Sequence, residues 1–585
     1  MRGRLLQTIL RRYSFVHFSP LNNRFATLSK STTSSFASLS SYSTPTLENP
    51  SPPQPYCRII SAQIHDAKLH KNQDNILKIY TSSQQHFTHF NYAHIFTALS
   101  NSNDPSNLRK LRDDSRFVAI LNFTIEKVTL VPTGSGCEFF TVRELLNIAH
   151  SLGKLEIKNY LFFKGVERQH LRVAQQGTPQ ELAMLLWACV NVGFRSPQLF
   201  ESISDQYSRI VREGDTQSYA MIARAYAKNN IKADMLFHEI STKAETIARE
   251  GTVQGLSNIC WSFARNGHYS DALFSEIAGE RERIAREGSC QALALTLWAF
   301  ATCGCFDRAL FVEIANCSGN RLVKRGNAQA VSNTLWAFAI AGFWVEGSEL
   351  IDQLWDRVLT ETRENENINI KSDSYATHMK QLYHCYAAAN VECNLFSRNE
   401  CNVPRKIANL PSELLERMVE PFSQLTITTS RSQLEVSRKL EELNFDHELE
   451  VSPFAITKKS DEESNTFKGQ DSIDKFLTID IASVDEKIAI EYNGPQHYLR
   501  KMIRKNNSNG SGKGRWKNKD RGRRNTKDDF YVKLIESGRT KFKRRLLERL
   551  GWKVLIVRFN HWSYAFNMKA ERAFLVNMFN EKLNR

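Results

Sequence analysis

The chain has 585 residues, too many for one domain and a length for about two to four. Its net charge of +16 is concentrated rather than spread: residues 1–47 carry six Lys/Arg and no acid, residues 501–549 carry 18 Lys/Arg against five acids, and the remainder is close to neutral. The longest apolar run, Trp336–Trp344, excludes a membrane helix of roughly 18–20 residues, and 11 scattered cysteines without a C-x-x-C pair argue against zinc and for a reducing compartment.

Residues 1–47 read as a transit peptide. Leu6, Ile9, Leu10 and Tyr13 form a helical stripe, Arg4, Arg11 and Arg12 lie off it, and a Ser/Thr-rich tail follows. The early arginines on an amphipathic helix point to the mitochondrial matrix, while the long Ser/Thr stretch keeps a plastid open. A Pro-rich linker is expected over 48–59, then a helical region over 60–139 for which diverged repeats stay open.

A period of about 37 residues runs through the next region. Trp187, Trp261, Trp298 and Trp336 occur in LLWACVNVG, ICWSFARNG, TLWAFATCG and TLWAFAIAG, and each precedes a glycine by six (Gly193, Gly267, Gly304, Gly342). One unit has Arg224 in the Trp slot and Asn230 in the glycine slot. Gln180, Gln217, Gln254, Gln291 and Gln329 keep the same beat, as do Phe200, Phe237, Phe274 and Phe311. Each unit reads as two helices, the first capped by a left-handed glycine and, at Thr178-Pro179, opened by a capping hydroxyl and a first-turn proline. One unit cannot bury its apolar face alone, so the period predicts an α-solenoid over 140–395 with the tryptophans in the core between repeats. Within it a degenerate unit at 144–153, with Asn147 in the Trp slot, precedes the tryptophan-bearing units, and another follows them near Tyr383. A connector covers 396–430.

The Trp-x-(small/aromatic)-Ala-x-x-Gly pattern resembles octotricopeptide-type repeats of organelle RNA-binding proteins. The resemblance implies that variable positions of the first helix read bases. Those three before the Trp slot include Asn258 and Asn333; those two before it include Thr296 and Thr334.

Residues 431–585 read as a small α/β domain. SQLEVSRKLEELNF is an amphipathic helix and HELEV a short strand. IDIASVDEKIAIEYNGPQH reads as two strands joined by the polar turn Ser483–Glu486, which brings Asp480 and Glu491 together at one sheet edge. A basic insertion at 501–527, containing Arg521, Arg523 and Arg524, is expected to be disordered. A basic helix, TKFKRRLLERL, and a buried strand, WKVLIVR, follow.

These blocks, with YNGPQHY and LLERLGWKV, closely resemble the RAP domain of organelle RNA-metabolism proteins, including those resembling the Fas-activated serine/threonine kinase family. RAP domains resemble the PD-(D/E)XK nuclease fold. In such nucleases the matching acids, here Asp480 and Glu491, bind Mg²⁺, and a lysine two residues past the Glu activates water. That place is Asn493 here, with Lys543 or His497 as candidate substitutes. The pair is therefore either a live metal site or a remnant of one. Lys541, Lys543, Arg544 and Arg545 are expected to contact phosphate, and the insertion to bind single strands.

The resulting expectation is an organelle RNA-binding protein acting in RNA processing, stability or ribosomal RNA maturation, with RNA and ribosome or RNA-processing proteins as partners and no membrane. A metal-dependent RNA endonuclease and a protein scaffold in organelle ribosome assembly are the alternatives.

Overall fold

The computed structural model describes residues 55–70, 72–101, 105–129, 139–364, 373–393, 407, 410–423, 428–453, 477–505 and 530–583. The predicted transit peptide, the start of the linker, and Arg521, Arg523 and Arg524 lie outside these. Helix begins at Pro55, inside the expected linker, because proline at a first helical position gives up an N–H that has no partner there. Among the described residues five α-helices run up to Thr129: Pro55–Leu69, Gln73–Ser83, His89–Leu99, Pro105–Asp113 and Ser115–Thr129. Among the described residues no helix is long and apolar enough to cross a membrane.

The repeat region is a solenoid whose first helices are α1 (Val142–Lys154), α2 (Pro179–Val192), α3 (Thr216–Asn229), α4 (Val253–Asn266), α5 (Cys290–Cys303), α6 (Ala328–Ala341) and α7 (Asp373–Glu392). Each packs on the next, making one continuous layer. Their ends are written locally. Thr178, Asp215, Thr252, Ser289 and Asn327 each accept a backbone N–H three residues on. Gly193, Asn230, Gly267, Gly304 and Gly342 stop the helices at φ between 54° and 75°, where a Cβ is strained.

The second layer departs from the expected single helix. In four units it is a pair of short helices: Tyr160–Arg168 with His170–Gln176, Pro197–Ser204 with Tyr207–Glu213, Asp234–Ser241 with Ala244–Glu250, and Asp271–Gly279 with Arg281–Glu287. Gln169, Gln206, Lys243 and Glu280 break them at ψ 20°, 17°, 22° and 18°, outside the helical well. The last two units run unbroken, as Arg308–Arg325 and Ser348–Glu364. Phe200, Phe237, Phe274 and Phe311 are buried here. Each meets an aromatic ring of the following first helix edge-on (Tyr226, Phe263, Phe300, Phe338) at 5.0–5.1 Å, a geometry contributing about 0.5–1.5 kcal/mol per pair.

An arginine ladder ties successive units together. Arg209 donates to the Gly177 and Ala174 carbonyls, Arg283 to Gly251 and Ala248, Arg321 to Arg286 and Ala285, and Arg357 to Val323. These oxygens end the preceding unit's last helix and have no partner within it. Arg283→Ala is expected to cost about 1–2 kcal/mol locally, read as faster hydrogen exchange around Gly251 with the N-terminal helices unaffected.

The C-terminal domain starts with helix Arg431–Glu441. Its strands are β1 (Glu448–Val451), β2 (Ile479–Ser483), β3 (Ile488–Asn493), β4 (Tyr498–Arg504), β5 (Phe530–Glu536) and, after helix α8 (Gly538–Arg549), β6 (Lys553–Arg558). The sheet order is β1-β2-β3-β6, with β2–β3 antiparallel and β3–β6 parallel. One sheet face packs Ile481, Ile490 and Val557 against Val436, Leu440 and Trp562; the other packs Ala482 and Ala489 against Leu547 and Trp552. β3 is thus interior, and the expected sheet-edge placement of Glu491 is corrected. β4 and β5 form a separate ribbon. β4 runs through Arg504, so residues 501–504 of the expected disordered insertion are strand.

Candidate nucleic-acid interface

The C-terminal domain packs on the repeats' helix-ending turns, and a cation meets each of three consecutive ones. Arg500 N donates to Gly267 O at 2.8 Å, Tyr269 N donates back to Arg500 O at 3.0 Å, and the Arg500 guanidinium pairs with Asp234 at 3.2 Å. Lys541 Nζ donates to Gly304 O at 3.1 Å. Arg545 donates to Ile340 O (2.7 Å) and Ala339 O (2.8 Å), just ahead of Gly342, and to the buried carboxylate of Glu392 at 2.5 Å. Helix C-termini carry unpaired carbonyls and partial negative charge, and a cation answers both.

This overturns an expectation. Lys541 and Arg545 are committed to the solenoid, Arg544 to Glu536 at 2.8 Å, and Lys543 to Glu491 at 2.5 Å. The basic helix α8 spends these four charges inside the protein rather than on phosphate.

The carboxylate pair lies behind α8. Asp480 Oδ2 accepts the Tyr492 backbone N–H at 2.8 Å. Glu491 is 5% exposed, and its Oε2 accepts from Lys543 Nζ. Burial pushes the Glu491 carboxyl up to about 7; Lys543 opposes this and Asp480 adds to it. Burial pulls the Lys543 ammonium down, but the attraction of Glu491 and Asp480 outweighs it and the net shift is upward. This donor set does not fit a divalent ion. An ammonium already holds one Glu491 oxygen, a backbone N–H holds Asp480, and among the described residues no group of three His, Cys, Asp or Glu could hold a metal. No hydrolytic step follows from this geometry. His497 lines a cavity together with Glu491 and Lys543; burial first, then Lys543, lowers its pKa. Its carbonyl accepts from Ser537 N (2.9 Å) and Thr540 Oγ1 (3.1 Å), fixing the start of α8.

The solenoid's candidate readers divide by helix geometry. Thr296 and Thr334 are buried and donate to carbonyls four residues back in their own helices, at 2.9 and 2.8 Å. Two residues before the Trp slot is about 200° around the helix, which turns the row inward and corrects the expectation for both. Asn333 is buried too, accepting from Gln381 at 2.8 Å. Asn258 stays on the open face, half-buried, and accepts from Arg224 at 2.5 Å.

That open face is the set Gln180, Met184, Trp187 and Asn191 on α2, with its equivalents on α3 and α4 and, apart from the buried Leu295, on α5, spaced four, three and four residues apart. Trp187, Trp261 and Trp298 are only partly buried there; Trp336 is buried, stacked on Trp298 at 6.1 Å between ring centroids. The expected all-core tryptophan row is therefore partly a surface row.

Four cations gather along it. Arg224 and Lys228 lie over Trp261 at 5.4 and 5.6 Å, and Arg539 of α8 lies over Trp336 at 5.2 Å. Partial burial first, then the like charges of Arg224 and Arg265, lower the Lys228 pKa. The Arg539 side chain is solvent-exposed, with Arg265 as a like-charged neighbour. Among the described residues, Arg224, Lys228, Arg265 and Arg539 have no carboxylate at ion-pair distance. Sequence reasoning passed over Lys228, Arg265 and Arg539. The first two lie four residues past a Trp-slot residue, so the repeat register contained the signal. Arg539 joins them only through docking.

Comparison with known protein families gives two matches. Residues 118–379 match the family described as RNA-editing substrate-binding complex 6 protein, and residues 490–578 match the RAP domain. No curated protein matches the chain.

Proposed function

We propose that this chain, a RAP-domain protein with a helical-repeat array ahead of the domain, binds single-stranded RNA along the open face of α2–α5. The observation that carries the reading is the cluster of Arg224, Lys228, Arg265 and Arg539 along the tryptophan row, beside the partly buried Trp261 and over the buried Trp336. These cations have no carboxylate at ion-pair distance among the described residues, and an anion would supply the missing counter-charge. Interleaved aromatic rings and guanidinium planes stack bases. The exposed Gln217, Gln254 and Gln291, with Asn258, offer hydrogen bonds to base edges.

The RAP domain supports this by rigid docking and by contributing Arg539, rather than by a basic helix laid on the backbone. The printed description of the family matched by residues 118–379, an RNA-editing substrate-binding complex protein, supports RNA and RNA-processing proteins as partners. The acid-free, arginine-bearing N-terminus supports a mitochondrial site of action. Processing, stabilisation or ribosomal RNA maturation is the proposed setting.

Trp261→Ala is expected to weaken single-stranded RNA binding by about 1–3 kcal/mol, the worth of one stacked base. Lys228→Gln with Arg265→Gln should flatten the salt dependence of log K by about 0.7 per cation removed. Fluorescence anisotropy across a salt series checks both. Unchanged affinity in the first variant and an unchanged slope in the second would reject this face as the RNA site.

A further inference from the structure

Between the RAP sheet and the solenoid lies a cavity of about 410 Å³, to which α6 and α7 contribute Ile340 and His384 and the RAP domain Glu491, Asn493 and Arg539. Two of its buried polar atoms have no hydrogen-bond partner: Glu491 Oε1, an acceptor, and Asn493 Nδ2, a donor. The residues are 5% and 2% exposed. Unpaired polar atoms so deep are costly. Asn493 Nδ2 lies beside the Tyr498 hydroxyl, which also lacks a bond of good geometry.

Glu491 and Asn493 are two apart on β3, so both side chains leave the same face of the strand. An acceptor beside a donor is the complement of a nucleobase edge, where an N–H adjoins a ring nitrogen or carbonyl. A phosphate does not fit that wall, because a carboxylate faces it. Arg539 offers the charge a phosphate needs, and it both lines the cavity and stacks on Trp336 at the end of the open face. The volume lies within the range of small-ligand sites, enough for one base with its sugar.

We propose that this cavity is a nucleobase pocket, taking one unstacked base of the RNA strand held on the first-helix face, with Glu491 and Asn493 reading its edge and Arg539 holding its phosphate. The inference rests on the RNA-binding reading above and goes beyond it: the nuclease-like carboxylate is reused as a base reader. It also gives Asn493 a task in the position where a nuclease would carry lysine.

The test uses the full chain and single-stranded RNA oligonucleotides carrying 2-aminopurine at successive positions. One position should show a fluorescence change on binding that is lost in Asn493→Leu, which fills the cavity, and in the near-isosteric Asn493→Asp, which removes the donor. Each variant should bind RNA about tenfold more weakly, with an unchanged melting temperature showing that the fold persists. Each of the four mononucleotides, tested alone, should be displaced by the oligonucleotide. Wild-type affinity in both variants would overturn the pocket, as would a fluorescence change they leave intact, or a mononucleotide the oligonucleotide cannot displace. Trp261→Ala separates the two readings: if it weakens binding while both Asn493 variants do not, only the pocket fails; if it has no effect either, the face fails as well.

Discussion

Gly538→Ala is expected to break the docking of the RAP domain on the solenoid, at a cost of about 3 kcal/mol. Gly538 opens α8 directly against the C-terminal end of α5. A Cβ there would collide with the Ala301 carbonyl oxygen and crowd the Gly304 amide. These are backbone atoms, so no rotamer change relieves the clash and α8 must move as a body. Lys541 and Arg545 sit further along the same helix and would leave Gly304, Ile340 and Ala339 with it. Glu392, nearly buried, would then lose a charged partner, and stranding a buried charge costs about 3–5 kcal/mol. Faster hydrogen exchange at the ends of α5 and α6, with a lowered melting temperature, is the expected readout. A variant with wild-type exchange at Gly304 and Gly342 would show that the contact is dispensable.

Lys543→Met is expected to destabilise the RAP domain by about 3 kcal/mol at pH 8, and by much less at pH 5. The reason is Glu491, whose folded pKa already stands near 7 because burial outweighs the attraction of Lys543. Without the ammonium that pKa rises further. Between the unfolded value of 4.5 and the raised folded value, the native state holds a proton that the unfolded chain has released, so stability falls as pH rises through this window. Below pH 4.5 both states are protonated and the penalty disappears. Adding Glu491→Leu to Lys543→Met should remove the pH dependence and recover most of the loss, since an apolar pair replaces a stranded charge. Urea titrations at pH 5 and 8 decide it; an equal loss at both would mean that the stability of the pair does not depend on Glu491 ionisation.

The candidate site was legible in unequal parts. Asp480, Glu491, His497 and Lys543 were chosen from strand pattern and resemblance, and they do lie together at one end of the sheet. Their chemistry was not readable, because Lys543 approaches Glu491 from a helix 52 residues away. The β4–β5 ribbon was missed because its alternating YLRKMIR and FYVKLIE flank a low-complexity basic stretch that dominated the composition. Thr296 and Thr334 were misplaced because variability in a repeat does not say which way a side chain points. Counting 100° per residue from the partly exposed Trp row turns them inward.

What the sequence determined alone was everything encoded within about one turn of helix or one repeat: the 37-residue beat, the cap at Thr178, the left-handed stops from Gly193 to Gly342, and the two-domain order. Those depend on local hydrogen bonds and on φ, which a few neighbouring residues control. What only the tertiary structure decided was the use of charge. Arg545 meets Glu392 from 153 residues away, and Arg500 meets His268 from 232. A cation's partner is set by which carbonyl or carboxylate the fold brings within about 3 Å, and a run of lysines and arginines carries no record of that. The basic helix was thereby turned from an RNA clamp into a dock, and the open charges were left beside Trp261 and Trp336.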